Sequence, residues 1–299
     1  MRKLLLLLFI VAAPDALAQL DPLYAQYLTN PLLFNPAYTG LNNALNASLS
    51  FRNQWTGYEG SPSTANLNCH LSLVYNKVGV GGMVVRDAIG PTKTTEAHVL
   101  ASYKIKFNAA KQYQLSFGMQ AGVVSSVNNY SKLRLDNPSD PSFSQNMNFT
   151  WPNVGFGAIV VGEKFLVGLS VPRMLKGKND DGKVLYYQHI YLFTSYVHYL
   201  GTRLRLKPSL LLRGVSGAMS ADVNFNINID TKYTAGVFVR NLNTYGAILQ
   251  IWLRDKLRLG YAFELPSGNS VGAQFTSHEI TLGIKTAIQN AHERSYSEF

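Results

Sequence analysis

The sequence predicts an all-β protein, a transmembrane antiparallel β-barrel of about fourteen strands. Three observations point that way. Hydrophobic residues make up 46% and charged residues 15% of the 299-residue chain, whereas a soluble globular protein carries about 25% charged residues. Beyond the N-terminus, no stretch offers the ~20 consecutive apolar residues of a spanning helix. The chain instead repeats one pattern from about residue 43: some ten residues of alternating character, then a turn. Alternate side chains of a strand point to opposite faces, so each segment carries an apolar face and a polar or small one.

The first residues read as an address. Arg2 and Lys3 precede the apolar run Leu4 to Ala13, and Ala16-Leu17-Ala18 gives a small-x-small cleavage pattern before Gln19. Residues 1–18 are therefore expected to be a secretory signal peptide. Residues 19–42 form a Pro- and Asn-rich segment, with Asp21-Pro22, Asn30-Pro31 and Asn35-Pro36. Asn before Pro favours a turn, and Pro fixes φ and removes a donor, so this segment is shaped but not helical.

The barrel is expected over residues 43–286. Leu67, Cys69, Leu71 and Leu73 alternate with Asn68, His70 and Ser72, and Ala221, Val223, Phe225 and Ile227 alternate with Asp222, Asn224 and Asn226. Strands are predicted near 43–54, 64–75, 78–87, 94–107, 112–124, 153–161, 164–172, 187–199, 203–213, 218–228, 232–240, 244–253, 256–264 and 275–286. Many approach the ~9–11 residues that cross a bilayer at a tilt. Connections alternate in length: one set is short throughout, while the other holds the long members 55–63, 125–152, 173–186 and 265–274. Bacterial barrels have short periplasmic turns and longer outer loops, so strand one rises from the periplasm. A tail, 287–299, follows the last strand.

Aromatic residues at strand ends, among them Tyr75, Phe107, Tyr113 and Tyr199, fit an interfacial girdle, although ordinary β propensity also favours them. The segment Ile190-Tyr191-Leu192-Phe193 is apolar on both faces, so something packs inside the barrel there or the register is shifted. Inward glycines such as Gly118, Gly155 and Gly157 suggest close approach of another backbone. The 19–42 segment is the natural candidate, plugging the barrel or capping its periplasmic mouth.

The formal charge of +10 is accounted for by a basic lumen and loops. Lys and Arg form no stripe or basic helix, so nucleic acid is not an expected partner. With one cysteine, Cys69, no disulfide can form within the chain. No cysteine–histidine pattern has zinc spacing, no Gly-x-Ser-x-Gly elbow accompanies the histidines, and neither metal, cofactor nor catalytic residue is expected. His98 with Glu96 and His278 with Glu279 are the closest to catalytic pairs, and His278-Glu279 reads better as a structural pair at the barrel seam. Candidate partner-binding residues are Arg52, Gln54 and Trp55, leading into the first outer loop, and Phe143, Phe149 and Trp151 in the long loop.

One resemblance is specific. Asn35-Pro36-Ala37-Tyr38-Thr39-Gly40, then Arg52, Gln54-Trp55, Gly57, Gly60 and Pro62, then Gly260-Tyr261-Ala262-Phe263 and the closing Ser277-His278-Glu279-Ile280 follow the pattern of the PorP/SprF family of Bacteroidota. Glu264 departs from it, standing where Asp is usual. The resemblance implies an outer-membrane component of, or adaptor for, the type IX secretion system or its associated gliding motility. It implies a monomeric barrel in outer-membrane lipid that binds the C-terminal domain of a secreted surface protein, periplasmic secretion components, or both. The alternative reading of the residues is a diffusion porin or hydrophobic-solute channel.

Overall fold

The structure, a computed structural model, describes Tyr27 and residues 30–108, 113–130, 146–177, 186–216, 218–267 and 274–286. The signal peptide, the 287–299 tail and Phe143 lie outside the described residues. Fifteen strands form one antiparallel sheet: β1 (Leu45–Asn53), β2 (Ser63–Leu73), β3 (Val78–Ile89), β4 (Thr92–Asn108), β5 (Tyr113–Asn128), β6 (Met147–Val161), β7 (Phe165–Val171), β8 (His189–Tyr196), β9 (His198–Leu200), β10 (Leu204–Val215), β11 (Ala218–Ile229), β12 (Tyr233–Arg240), β13 (Thr244–Leu253), β14 (Leu257–Pro266) and β15 (Ser277–Thr286). Both β8 and β9 pair with β10, so they are two halves of one strand broken at Val197, and the barrel has fourteen staves. β1 pairs with β15 from Leu45↔Thr286 to Asn53↔His278, which closes the ring. Closure removes the two free edge strands of an open sheet, the condition for a sheet to cross lipid.

The alternation read in the sequence becomes an inside-out protein. On β1, Leu49 and Phe51 are about half exposed, whereas Ser48, Ser50 and Arg52 are buried. Val99, Phe117, Leu169 and Ile280 continue the apolar exterior, and Asn66, Asn68, Gln120 and Asn224 the polar interior. Among the described residues no helix is long and apolar enough to cross a membrane; the strands do so, with lipid taking the place that a core has in a soluble fold. Cys69 lies on this exposed apolar face.

The turns between staves show why they are tight. Asp230-Thr231, Asn241-Leu242 and Arg254-Asp255 each place two consecutive residues at positive φ, the requirement of a two-residue hairpin whose twist matches the strands. At the long-loop end the prediction needs correcting. β5 runs on to Asn128 and β6 begins at Met147, with Asn128 paired to Met147, so the connection predicted as 125–152 is shorter. Phe149 and Trp151 stand on β6 itself. With β4 these strands have 15–17 residues, longer than a bilayer needs, and β6 pairs with β7 only from Phe156 onward.

Inside the wall lies the segment predicted to plug or cap the barrel. Residues 30–42 form two 3-10 turns, Pro31–Leu33 and Pro36–Tyr38. Each starts with Pro at its first position, where the missing N–H costs nothing. Tyr27, Leu32, Phe34, Ala37, Tyr38 and Leu41 are at most 5% exposed and cluster with Ile159, Leu166, Tyr191, Phe193 and Leu211 of the wall.

Candidate functional site

The lumen is the site, and its shape follows from which inward residues are small and which can donate. On β5 and β6, Gly118 and Gly157 leave room for the plug: a Cβ on Gly118 would collide with Ala37 N, and one on Gly157 with Asn35 Oδ1. Gly79 makes room likewise for the Thr39 carbonyl. Gly155 lies instead beneath Pro172, and Gly81, Gly122 and Gly236 are crowded by residues of adjacent strands. The plug thus approaches closely through its backbone at Gly118 and through the Asn35 side chain at Gly157, and Gly79 joins them with the Thr39 carbonyl.

Around these gaps the wall supplies donors for the plug's carbonyls. Ser170 Oγ donates to Phe34 O, Ser116 Oγ to Ala37 O and Ser102 Oγ to Thr39 O, each at 2.6 Å. Lys104 Nζ donates to Gly40 O, and also to Ser72 Oγ at 2.9 Å and Asn76 Oδ1 at 2.8 Å. Gly40 N–H donates to His70 Nδ1 at 2.9 Å, and Asn35 Nδ2 reaches Ala158 O and Leu169 O at 3.4 and 3.3 Å. Each such bond contributes about 1 kcal/mol net, but an unmet buried carbonyl costs about 1–3 kcal/mol, so the set fixes the register of the segment. Asn35 also caps the second turn by accepting from Ala37 N–H at 2.9 Å. Gly40, at φ +60°, turns the chain where a Cβ would meet the Leu71 carbonyl at 2.5 Å. The Asn-Pro-Ala-Tyr-Thr-Gly block is therefore a plug, and its residues are those that the wall requires.

Aromatic packing anchors the other end. Phe34 lies 5.7 Å from the Tyr191 ring and 5.5 Å from Phe193, and Tyr27 meets Phe193 edge-on at 6.2 Å. This accounts for the two-faced apolar character of β8: Ile190 faces out and is 53% exposed, whereas Tyr191 and Phe193 face the plug. Burial pushes the Tyr38 phenol up to about 12. Burial, helped by the nearby Asp222 charge, raises Tyr27 as well, so both remain neutral, and Tyr27 donates to Asp222 O at 3.4 Å.

Two ionic networks occupy the outer half of the lumen. The first spans the seam. Arg52 on β1 pairs with Glu264 on β14 at 2.5 Å and with Glu279 on β15 at 3.4 Å; Arg240 on β12 pairs with Glu264 at 3.3 Å and with Asp222 on β11 at 2.7 Å. Their side chains are at most 7% exposed. The second holds Glu96 between Arg173 Nε at 2.8 Å and His98 Nε2 at 3.1 Å, with Arg173 donating to Tyr186, whose hydroxyl contacts His189 at 2.9 Å.

The seam brings several predicted residues together. Arg52 lies opposite Glu279, and Trp55 N–H donates to Ser277 Oγ at 3.2 Å. Trp55 packs edge-on with Tyr58, and Tyr58 with Phe275, so the first and last outer loops share an aromatic cluster, beside which Gln54 N–H is held by Pro62 O. His278 and Glu279 do not form a pair. As neighbours on one strand they face opposite sides. Glu279 bridges the seam from within, whereas His278 faces outward and meets Tyr261 at 2.7 Å. Phe149 and Trp151 lie away from this cluster, with Trp151 packed against Gly177. Sequence reasoning missed Asp222 as a partner of Arg240, and the wall donors Ser102, Lys104, Ser116 and Ser170. Their signal was present: each is a polar residue on the inward register of an alternating strand. Among the described residues no group of three His, Cys, Asp or Glu is placed to hold a metal ion.

A closed, apolar-surfaced barrel with a polar, plugged lumen defines an outer-membrane protein. The model of the type IX secretion system membrane protein family PorP/SprF matches residues 16–284, and the chain belongs to that family. No curated relative matches the sequence. Among solved structures it is similar to the outer membrane protein Omp33 of Acinetobacter baumannii (10% identity, TM-score 0.43, covering 82% of this chain and 99% of that one). It is also similar to a FadL homologue of Pseudomonas aeruginosa (12%, 0.47, 82% and 89%) and to the CymD monoaromatic hydrocarbon channel (10%, 0.49, 88% and 92%). Likeness at that level says nothing of what this chain binds.

Proposed function

We propose that this protein serves the type IX secretion system as a binding component or adaptor. It would hold a secreted surface protein, periplasmic secretion components, or both, to aid export or surface anchoring. The observation that carries the reading is the plug: the chain spends its own most distinctive motif on filling its lumen. A barrel of fourteen staves is wide enough to leave a channel, and a diffusion porin would have that channel open. The bonds from Ser102, Lys104, Ser116 and Ser170 favour a scaffold over the alternative porin or hydrophobic-solute channel.

Binding also accounts for the polar groups better than catalysis does. His70, His98, His189 and His278 are each tied to a structural neighbour. The partner surface we assign to the outer mouth is the Trp55–Tyr58–Phe275 cluster with Gln54, with Phe149 and Trp151 on β6 as a second, separate patch. Aromatic side chains on paired loops are common anchors of interfaces. Capture of the tagged protein from its native membrane in mild detergent, followed by identification of what accompanies it, tests the reading. A secreted surface protein or periplasmic secretion components should come with it. Capture of neither, with steady ion conduction by the purified barrel, would replace it with the porin reading.

A further inference from the structure

At the long-loop, outer end part of the wall continues as a flap. β3 to β6 run on to Ile89, Thr92, Asn128 and Met147, whereas β7 stops at Val171, opposite Phe156. The outward register of the flap turns polar: exposed Arg86, Lys93, Asn148 and Thr150 take the place that Val84, Val99 and Phe156 hold lower on the same strands. Charge on a lipid face is costly, so the flap faces water. β6 pairs with β5 from Met147 to Val161. On its other side Val154 O accepts from Met174 N–H at 2.8 Å, and outward of Val154 no described residue bonds to its backbone. Ladder groups point alternately to the two sides of a strand. Asn148 and Thr150 therefore share the orientation of Val154, and each presents its N–H and C=O to the open side. Pro152 stands in the same register with no N–H to present, the place that proline takes in an edge strand.

We propose that this edge receives an extended strand of a secreted partner at the cell surface. A row of backbone donors and acceptors is complemented by another extended backbone, and pairing along a sheet edge is a recurring mode of peptide capture. Proteins normally blunt such an edge with lysine, proline or a charge turned inward. Here Pro152 closes the lower end, and Met147 to Trp151 carry no charge. The two faces of β6 define which strand fits. Phe149 and Trp151 face inward and are half-buried, whereas Asn148 and Thr150 are exposed. Side chains of paired strands meet on the same face, so the added strand alternates, apolar beside Phe149 and Trp151 and polar beside Asn148 and Thr150. This inference rests on the reading that the protein works by holding secretion partners, and gives the Phe149–Trp151 patch its mode of contact.

The test uses the purified full chain in detergent and a short fluorescein-labelled peptide of alternating threonine and valine, read by polarisation. The same peptide with two adjacent central prolines, which removes a donor from each of its edges, is the comparison. The first peptide should bind and the second should not. Thr150→Pro deletes a donor on the open side and leaves the pairing with β5 intact, so affinity should fall about tenfold, whereas Thr150→Ala keeps the donor and should bind as wild type does. One or two lost backbone hydrogen bonds are worth roughly that factor. Asn148→Pro removes the other donor and keeps the test valid if Thr150→Pro misfolds, which folded gel mobility reports. No binding to the wild type, equal binding of the two peptides, or wild-type affinity in both proline variants would overturn the proposal. Wild-type dimers that Thr150→Pro dissolves would overturn it in favour of a second copy of this chain. Capture from the native membrane separates this proposal from the broader reading. A secretion partner that accompanies wild type and Thr150→Pro equally would overturn the edge and leave the binding role standing, whereas its loss with Thr150→Pro but not with Thr150→Ala would support the edge.

Discussion

Replacing Arg52 by Met should be the most damaging single change at the seam. Arg52 is 1% exposed and is the only cation among the seam pairs described that touches both Glu264 and Glu279. Met keeps most of the volume and removes the charge. Glu264 retains Arg240 at 3.3 Å, and Glu279 loses its contact with Arg52 across the closing β1–β15 pair. Removing one member of a buried ion pair costs about 3–5 kcal/mol, chiefly because the remaining charge is left desolvated. For a chain of this size that is a fall in melting temperature on the order of 10 °C. The assay is thermal melting of the detergent-solubilised barrel, read from its β signal and from its folded mobility on a gel. The cause is separable, because the Arg52→Met/Glu264→Gln/Glu279→Gln variant removes the stranded charges with the cation. It should recover much of the loss. An Arg52→Met protein that melts within about 1 kcal/mol of wild type would refute the reasoning, as would a triple variant no better than the single one.

Loss of the three serine donors in Ser102→Ala/Ser116→Ala/Ser170→Ala should cost about 1–3 kcal/mol per unmet carbonyl and raise hydrogen exchange across residues 30–42; unchanged protection would contradict it. Gly118→Leu should displace the plug and expose the same residues to protease, whereas Gly214→Ala, with nothing within 4 Å of a new Cβ, should not; equal protection in both would count against the plug geometry. In the exposed turn pair, the Arg203 hydrogen bond holds the Asp230 carboxyl below its usual range. Its small contribution is thus present above the carboxyl's unfolded pKa and lost as pH falls through the lower folded one, so Asp230→Asn should matter only above that range. A loss at acid pH as large as at neutral pH would contradict this. Trp55→Ala should reduce capture of a secreted partner without moving the melting temperature more than a few degrees, and full capture would remove Trp55 from the partner surface.

Most of the barrel was legible in the sequence because one physical rule, period-two alternation, writes every spanning strand in the same way. β13, Thr244–Leu253, coincides with the predicted 244–253, and most other boundaries fall within two or three residues. The largest miss, the start of β6, has a local cause. Over Met147 to Pro152 the pairing with β5 persists, but the exposed Asn148 and Thr150 interrupt the apolar exterior that marks a strand. The interruption at Val197 was also invisible, because the residues on both sides of it still pair with β10. The plug was foreseen from inward glycines and from the two-faced apolar run on β8, but its bonds were not. Ser102, Ser116 and Ser170 look like ordinary polar lumen residues until the backbone they serve is placed beside them. The seam network hides for a similar reason: Arg52, Asp222, Arg240, Glu264 and Glu279 lie on five strands, and only closure of the ring gathers them. His278 drew attention by its chemistry, yet its parity on the strand puts it outside.

The claim that the lumen is filled by the chain's own N-terminal segment is tested most directly by conductance. The wild-type barrel and a variant lacking residues 20–42 would be compared in planar bilayers. The account predicts that the wild type passes no steady current and that the deletion opens a persistent channel or lowers the melting temperature. Steady conduction by the wild type, with conductance and melting unchanged by the deletion, would contradict it.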